Sequence, residues 1–564
     1  METSRDHAEE DRMRTLHHFH GGIHPTSHKS LSTHQSIARA PLPKSLVIPL
    51  RQHAGEAAKP CVNVGDHVLK GQRIGTPSAT LSSSIHAPTS GTIASIALHQ
   101  IAHPSALPDL CITLIPDGKD TWIEREAVDF LALSANEMQQ HLRDFGIVGL
   151  GGATFPSDLK LRHPIKVDTL ILNGAECEPF ITCDDMLMRE RANEIVRGIV
   201  ILRHALEAGE VLIGIEDNKP EAIAAMHEAV SAAQLDYAVV AVPTIYPGGS
   251  AKHLIKVLTG LEVPSGKLPT DIGVQCFNVA TALSIKRALD DGEPLISRIV
   301  TITGNVEHPR NYEALIGTAF SDLIDLSVAK RDTNRYIMGG PMMGVVLPAV
   351  NVPLVKSSNC VIAASDTLFP PAPPALPCIR CTRCAQVCPA ELQPQDLYWF
   401  AKSNNFGKAQ EYSLADCIEC GVCAYVCPSH IPLVQYYRYA KSEIRERSAE
   451  KLAADKARER HEYRQFRIER EKQEKAEKLA QREAASKAAA IVAPSTPSVD
   501  DTQQIRINEA IERAKAQAAE SHPKNTDGLT PEQQAEIASI EARRAKIREL
   551  ATDAGADDEP HKTS

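Results

Sequence analysis

Two short runs, "CIRCTRCAQVCP" (378–389) and "CIECGVCAYVCP" (417–428), hold eight of the chain's fourteen cysteines. Within each run the first three cysteines are two residues apart. The fourth follows after three residues and is itself followed by proline. Thiolates ligate iron–sulfur clusters, and C-x2-C-x2-C-x3-C-P is the spacing used by two-cluster ferredoxins. A structural zinc site would instead use cysteine pairs separated by a longer loop. Two complete runs therefore point to two [4Fe-4S] clusters and one-electron transfer. In such ferredoxins the fourth cysteine serves the other run's cluster. The expected ligand sets are thus Cys378, Cys381, Cys384 and Cys427 for one cluster, and Cys388, Cys417, Cys420 and Cys423 for the other. The remaining cysteines (Cys61, Cys111, Cys177, Cys183, Cys276, Cys360) are isolated and read as buried reduced thiols of a reducing compartment.

A second candidate centre lies upstream. "GIVGLGGATFPSDLK" (146–160) places Gly146, Gly149, Gly151 and Gly152 ahead of Lys160. Glycines let the backbone approach a phosphate, and a lysine supplies charge. By itself such a loop can equally be a tight turn. It is followed by "ILNGAECEP" (171–179), which brings Asn173, Glu176 and Glu178 to the end of an apolar strand.

The elements around these centres predict a multidomain α/β chain. Residues 1–40 are polar and histidine-rich and read as a solvated lead-in. Residues 41–120 contain short strands broken at glycines, resembling the biotinyl/lipoyl hammerhead barrel. Its Thr76–Ser84 hairpin has no carrier lysine, so a structural barrel is expected. Residues 125–280 alternate buried strands with helices, predicting a parallel sheet with ligands at its carboxyl ends. Short β/α segments fill 290–335, and the proline-rich "LFPPAPPALP" (368–377) is a stiff linker. The cysteine region, 368–435, has one helix expected between the runs. Residues 441–564 form a charged tail: an exposed helix, a disordered patch at 493–504, and a segment beginning at Thr530 with Ile537, Ile540, Ile547 and Leu550 on one face. That segment suits partner docking or simple solubilisation. Over 564 residues the formal charge is only −10, which gives no footprint for nucleic acid. No apolar run is long enough to span a bilayer and no signal peptide is read.

"GLGGATFPSDLK" and "NGAECEP" resemble the flavin- and NADH-binding subunit of respiratory complex I. With "FHGGIHP" (19–25), "YPGGSAKHLIKVLTGLEVPSGKLPTDIG" (246–273) and the twin cysteine runs, residues 19–435 resemble the RnfC/RsxC family of the Rnf (Rsx) ion-translocating electron transport complexes. The resemblance implies a hammerhead-like β barrel, a Rossmann-like complex I flavin-subunit fold, an SLBB-like module and a helical two-cluster ferredoxin domain. It implies FMN and NADH as cofactor and substrate. Gly149, Gly151, Gly152 and Lys160 would lie on the FMN phosphate side, Asn173 at the flavin, Glu178 near the nicotinamide with Glu176 beside it, and Asn278 and Thr281 on a further flavin-side segment. It also implies other subunits of the complex as partners, and a peripheral, cytoplasmic-side place on a bacterial inner membrane held through them. Leu150, Thr154 and Ala175 replace the pattern's arginine, glycine and aspartate, and Ser250 and Ala251 stand where complex I has paired glutamates. The dinucleotide pocket is correspondingly less acidic. Two functions remain open on these residues: an NADH-linked electron-input subunit, or a non-catalytic wire and scaffold.

Overall fold

The computed structural model describes residues 15–103, 105–162, 166–492 and 501–520. The chain divides into two compact units, Met1–Ala453 and Ala454–Ser564.

In the first unit, the barrel pairs a four-stranded antiparallel sheet (order Leu46–Pro49, Pro108–Pro116, Gly91–Gln100, His67–Val68) with a three-stranded one (Lys59–Pro60, Arg73–Thr76, Ile85–His86). Leu46, Ile48, Ile74, Ile85, Ile93, Ile112 and Leu114 fill its interior. The hairpin that would swing a carrier lysine is instead tied down. Arg143 donates to the Ala79 carbonyl (2.6 Å), and the buried Lys356 ammonium bridges the carbonyls of Ser84 (3.0 Å) and Gly146 (2.7 Å).

The α/β domain holds four parallel strands in the order Ala238–Val242, Glu210–Glu216, Thr169–Gly174, Val274–Asn278. Their near-continuous burial fits a sheet covered on both faces. Helices Cys183–Leu206, Pro220–Ala232 and Val279–Asp290 contribute to one apolar core. Ala251–Thr259 contributes Leu254, Ile255 and Leu258 to a second. The β/α module is larger than its expected 290–335 span. Its six-stranded sheet runs on to Cys360–Ala364 and borrows Ala38–Arg39 as a parallel edge strand against Arg310–Leu315.

The cysteine region packs short helices around Leu397, Phe406, Leu414 and Tyr437. The single helix expected between the runs is two, Pro394–Lys402 and Phe406–Glu411. Asn404 takes a left-handed conformation (φ 56°), and the Asn405 side chain caps the second helix by accepting from Lys408 N.

Residues 15–40 are not a solvated lead-in. Lys29 and Ser32 are buried, and Ser32 Oγ lies 2.8 Å from Thr182 Oγ1. Of the isolated cysteines, Cys111, Cys183, Cys276 and Cys360 are buried and Cys177 is half-buried, but Cys61 is exposed.

In the second unit the helix Leu433–Val492 is almost entirely exposed over residues 454–488 and carries i,i+4 ion pairs such as Arg467–Glu471 (3.6 Å). A further helix, Asp501–Glu520, starts inside the patch expected to be disordered. The apolar stripe from Ile537 to Leu550 lies outside the described residues. Among the described residues, no helix is long and apolar enough to cross a membrane.

One crossing sets how closely the covering helices approach. A Cβ at Gly198 would lie 2.0 Å from the Ala282 carbonyl oxygen. Helix propensity alone makes Gly→Ala stabilising by about 1 kcal/mol, whereas overpacking costs about 1–3 kcal/mol. Gly198→Ala is expected to lower the urea midpoint; a raised midpoint would contradict this crossing.

Candidate functional site

Strand order in the parallel sheet reverses between Thr169–Gly174 and Val274–Asn278, the switch point where such sheets bind ligands. At its carboxyl edge Asn173 and Asn278 are register partners. Asn278 caps the following helix by accepting from Ala280 N (2.9 Å) and donates to Asp184 (2.6 Å). Asn173 donates to the Gly249 carbonyl (2.8 Å) and accepts from Ala175 N (3.1 Å).

The glycine segment lies over this edge. Leu150 N donates to Thr281 Oγ1 (2.9 Å), and the Leu150 carbonyl accepts from Arg298 (2.6 Å). A Cβ at Gly151 would meet Asn278 Cβ at 3.3 Å, so the backbone rests directly on the switch point. Gly152 has φ 119°, which only glycine adopts readily, and nothing lies within 4 Å of where its Cβ would be. Gly149 precedes it, half-buried, against the Phe155 backbone. This exposed, side-chain-free backbone fits the approach of a phosphate. Lys160 does not reach outward to meet one. Its ammonium donates to the Cys276 carbonyl (2.9 Å), sits over the Phe277 ring (4.9 Å), and has its pKa lowered by burial. It fastens the segment after the loop to the strand Val274–Asn278.

Both glutamates of "NGAECEP" face inward. Glu176 caps the helix Cys183–Leu206, accepting from Asp184 N (2.7 Å) and Asp185 N (3.3 Å); burial pushes its carboxyl up to about 7. Glu178 accepts from Met342 N (2.7 Å) and Met343 N (3.0 Å), and burial raises its pKa also. A Cβ at Gly340 would stand 1.9 Å from Glu178 Cγ, so this contact requires glycine.

Two lysines that motif reading did not single out hold these segments. Lys29 donates to the carbonyls of Glu178 (3.0 Å) and Ile181 (2.5 Å) and lies 3.8 Å from Glu176. Lys219, fully enclosed, donates to the Ala175 carbonyl (2.7 Å) and to Glu216 (3.0 Å). The "FHGGIHP" segment carried the one signal that the N-terminal stretch belongs here. Lys219 carried none.

The eight cysteines of the runs fall into two small cavities. One is lined by Cys378, Cys381, Cys384 and Cys427, the other by Cys388, Cys417, Cys420 and Cys423. Each cavity thus takes three thiols from one run and the fourth from the other, among apolar side chains that include Ile431 and Leu433 in the first and Leu397 and Val434 in the second. Four sulfur donors converging in an apolar pocket suit a cubane cluster.

The second cavity adjoins the α/β domain. Tyr246 Oη donates to the Cys420 carbonyl (2.7 Å), and Gly421 presses on the Met342 carbonyl, which a Cβ would approach to 2.6 Å. His253 Nε2 donates to the Pro389 carbonyl (3.2 Å). The segment 19–25 straps across the junction. His20 Nδ1 donates to the Cys388 carbonyl (3.0 Å), Gly22 N donates to Val387 (3.0 Å), and Ile23 bridges Tyr246. Met342 thus joins both centres, since its N–H holds Glu178.

Comparison with known proteins agrees with this layout. Residues 17–119 match the RnfC barrel sandwich hybrid domain and 142–287 the Nuo51 FMN-binding domain. Residues 299–346 match the SLBB domain and 377–431 the 4Fe-4S dicluster domain. The C subunit of the ion-translocating oxidoreductase complex of Serratia proteamaculans is 45% identical over 94% of this chain and 74% of its own length. The Pseudomonas aeruginosa protein of that name is 46% identical over 81% of this chain and 59% of its own, and for the Vibrio cholerae one the chain spans 65% of the relative. A solved NAD+-reducing [NiFe]-hydrogenase is similar at 18% identity over 55% of this chain and 62% of that one, with a TM-score of 0.40, too low to carry weight. Four domain matches in order, and near-half identity along almost the whole chain, place this protein in the RnfC family, the C subunits of ion-translocating oxidoreductase complexes.

Proposed function

We propose that this chain is the electron-input subunit of a membrane-bound ion-translocating oxidoreductase complex, passing electrons between NADH and membrane partners. Bound FMN would exchange a hydride with NADH and single electrons with two [4Fe-4S] clusters. The observation that carries the reading is the seating of the second cavity on Tyr246 and Met342, whose neighbourhoods are tied to the switch-point segment by the Asn173–Gly249 and Glu178–Met342 hydrogen bonds.

In this reading the backbone of Gly149, Gly151 and Gly152 cradles the FMN phosphate side. Asn173 and Asn278 border the ring system, and Thr281 holds the loop through Leu150 N. Lys160 positions the loop from beneath. Glu178 orders the Met342–Met343 turn on which the Gly421 turn of the second cysteine run packs, and Glu176 orders the helix that carries Asp184. Cys378, Cys381, Cys384 and Cys427 hold one cluster; Cys388, Cys417, Cys420 and Cys423 hold the other. With its cluster ligands and flavin loop in one packed body, the chain attaches to a bacterial inner membrane on the cytoplasmic side through other subunits. The wire-and-scaffold alternative is the weaker reading, because the glycine loop is more than a turn: it rests on the switch point and leaves its backbone open there.

Gly151→Asp places a carboxylate at the loop's closest approach to Asn278 and opposes a phosphate in a partly desolvated site. The reconstituted variant is expected to lose FMN and NADH-dependent bleaching while keeping dithionite-reducible clusters. A wild type that never retains FMN would overturn the flavin reading. Cys427→Ser is expected to damage the cluster of the first run more than that of its own run, as read by EPR and iron content. Selective loss of the second-run cluster would show that each run closes on itself.

A further inference from the structure

The two cysteine runs are near copies in sequence, but their surroundings differ position by position. In the second run Gly421 and Val422 begin a short helix and are pressed into the protein. Gly421 abuts the Met342 carbonyl, and Val422 is buried with Tyr246 and Cys420. The equivalent positions of the first run are Thr382 and Arg383. They begin the equivalent short helix with the same left-handed cap (φ 63° at Thr382, 81° at Gly421), yet both are exposed. The surface that docks in one copy is bare in the other.

The charges follow the same division. Between Cys417 and Pro428 the sole charged residue is Glu419, and it is neutralised by Arg438 (3.0 Å) and Lys441 (2.9 Å). Between Cys378 and Pro389 the charges are Arg380 and Arg383, both exposed, and among the described residues neither guanidinium forms an ion pair. Beside them Ile379 is 67% exposed and Leu376 59%. All four cysteines of the first cavity are half-buried, whereas three of the four lining the second are buried. An apolar centre with an arginine rim is the composition of a protein interface, and here it lies at the cavity nearer to solvent.

We infer that the exposed face of the first run, Ile379, Arg380, Thr382 and Arg383, docks an acidic surface of an electron-accepting protein. The inference rests on the proposed iron–sulfur function and extends it to the partner's chemistry and to the point where electrons leave. Its sign runs against the whole molecule, whose formal charge of −10 repels anions at long range. Short-range attraction at this face would steer an acidic partner to the one cluster from which transfer to it is short.

The test uses the full-length protein, anaerobically reconstituted and reduced by dithionite, which loads the clusters without FMN. The first-run EPR signal is identified as the one lost in Cys381→Ser. Its power saturation is then compared with an anionic relaxant, tris(oxalato)chromate(III), and a cationic one, hexaamminechromium(III). The anion is expected to relax this cluster more strongly at low salt, and the Arg380→Glu/Arg383→Glu protein to reverse the order. After removal of excess dithionite, the reduced cluster gives one electron to ferricyanide, yielding ferrocyanide. That rate is expected to fall with added NaCl and to drop about tenfold in the double variant. The rate with hexaammineruthenium(III) should rise with salt and rise in the variant. Lys59→Glu, an exposed charge on the barrel, should change neither rate. If the double variant fails to assemble clusters, the wild-type relaxant order and salt dependence decide alone. Equal action of the two relaxants, or a ferricyanide rate that rises with salt, would overturn the inference while leaving the proposed function intact. No cluster signal in the wild type would overturn both.

Discussion

The contact on which the structure turns is a backbone-to-backbone one: the Gly421 turn of the second cysteine run lies against the carbonyl of Met342. No residue with a side chain fits there. Because the gap is closed by main chain, the second cavity packs tightly on the β/α module beside the α/β domain. The Met342 N–H is simultaneously spent on Glu178, at the edge of the parallel sheet. Tyr246, His253 and the 19–25 strap then satisfy the carbonyls of Cys420, Pro389, Cys388 and Val387. Backbone groups that pass into an interior must find such partners, and here they are drawn from two distant stretches of chain, 19–25 and 246–253.

Buried charge does comparable work at the sheet's carboxyl end. Lys219 and Glu216 are fully enclosed, and Lys29 reaches in from the N-terminal segment to the carbonyls that follow Glu176. Removing one partner of such a pair costs about 3–5 kcal/mol, although the pair itself adds little net stability. These ammonium groups are therefore best understood as fixing geometry. They pin the turn after Gly174 so that Asn173 stays opposite Asn278 beneath the glycine loop.

Much of this was legible in the residues. Cysteine spacing is a local pattern, and the alternation of buried strands with helices over 125–280 announced a parallel sheet through apolar continuity. The glycine loop was legible as an open backbone because glycine is needed at Gly152. Other features depend on contacts between residues far apart in the chain. Lys160 follows a phosphate-like loop yet turns inward, because the carbonyl of Cys276 and the Phe277 ring are closer partners. The polar stretch before residue 40 read as solvated because its few buried groups, Lys29 and Ser32, are polar and meet partners some 150 residues away. The single helix expected between the runs breaks at Asn404, whose left-handed backbone the sequence reading did not single out.

Among the described residues, the cavity of Cys388, Cys417, Cys420 and Cys423 is the one hydrogen-bonded to the α/β domain, through Tyr246 and His253, and in the proposed function it receives electrons first. Freeze-quench EPR after mixing the reconstituted protein with one equivalent of NADH measures that order. The cluster held by Cys388, Cys417, Cys420 and Cys423 should appear reduced first, with the Cys378, Cys381, Cys384 and Cys427 cluster following. Earlier reduction of the first-run cluster, or reduction of neither, would contradict it.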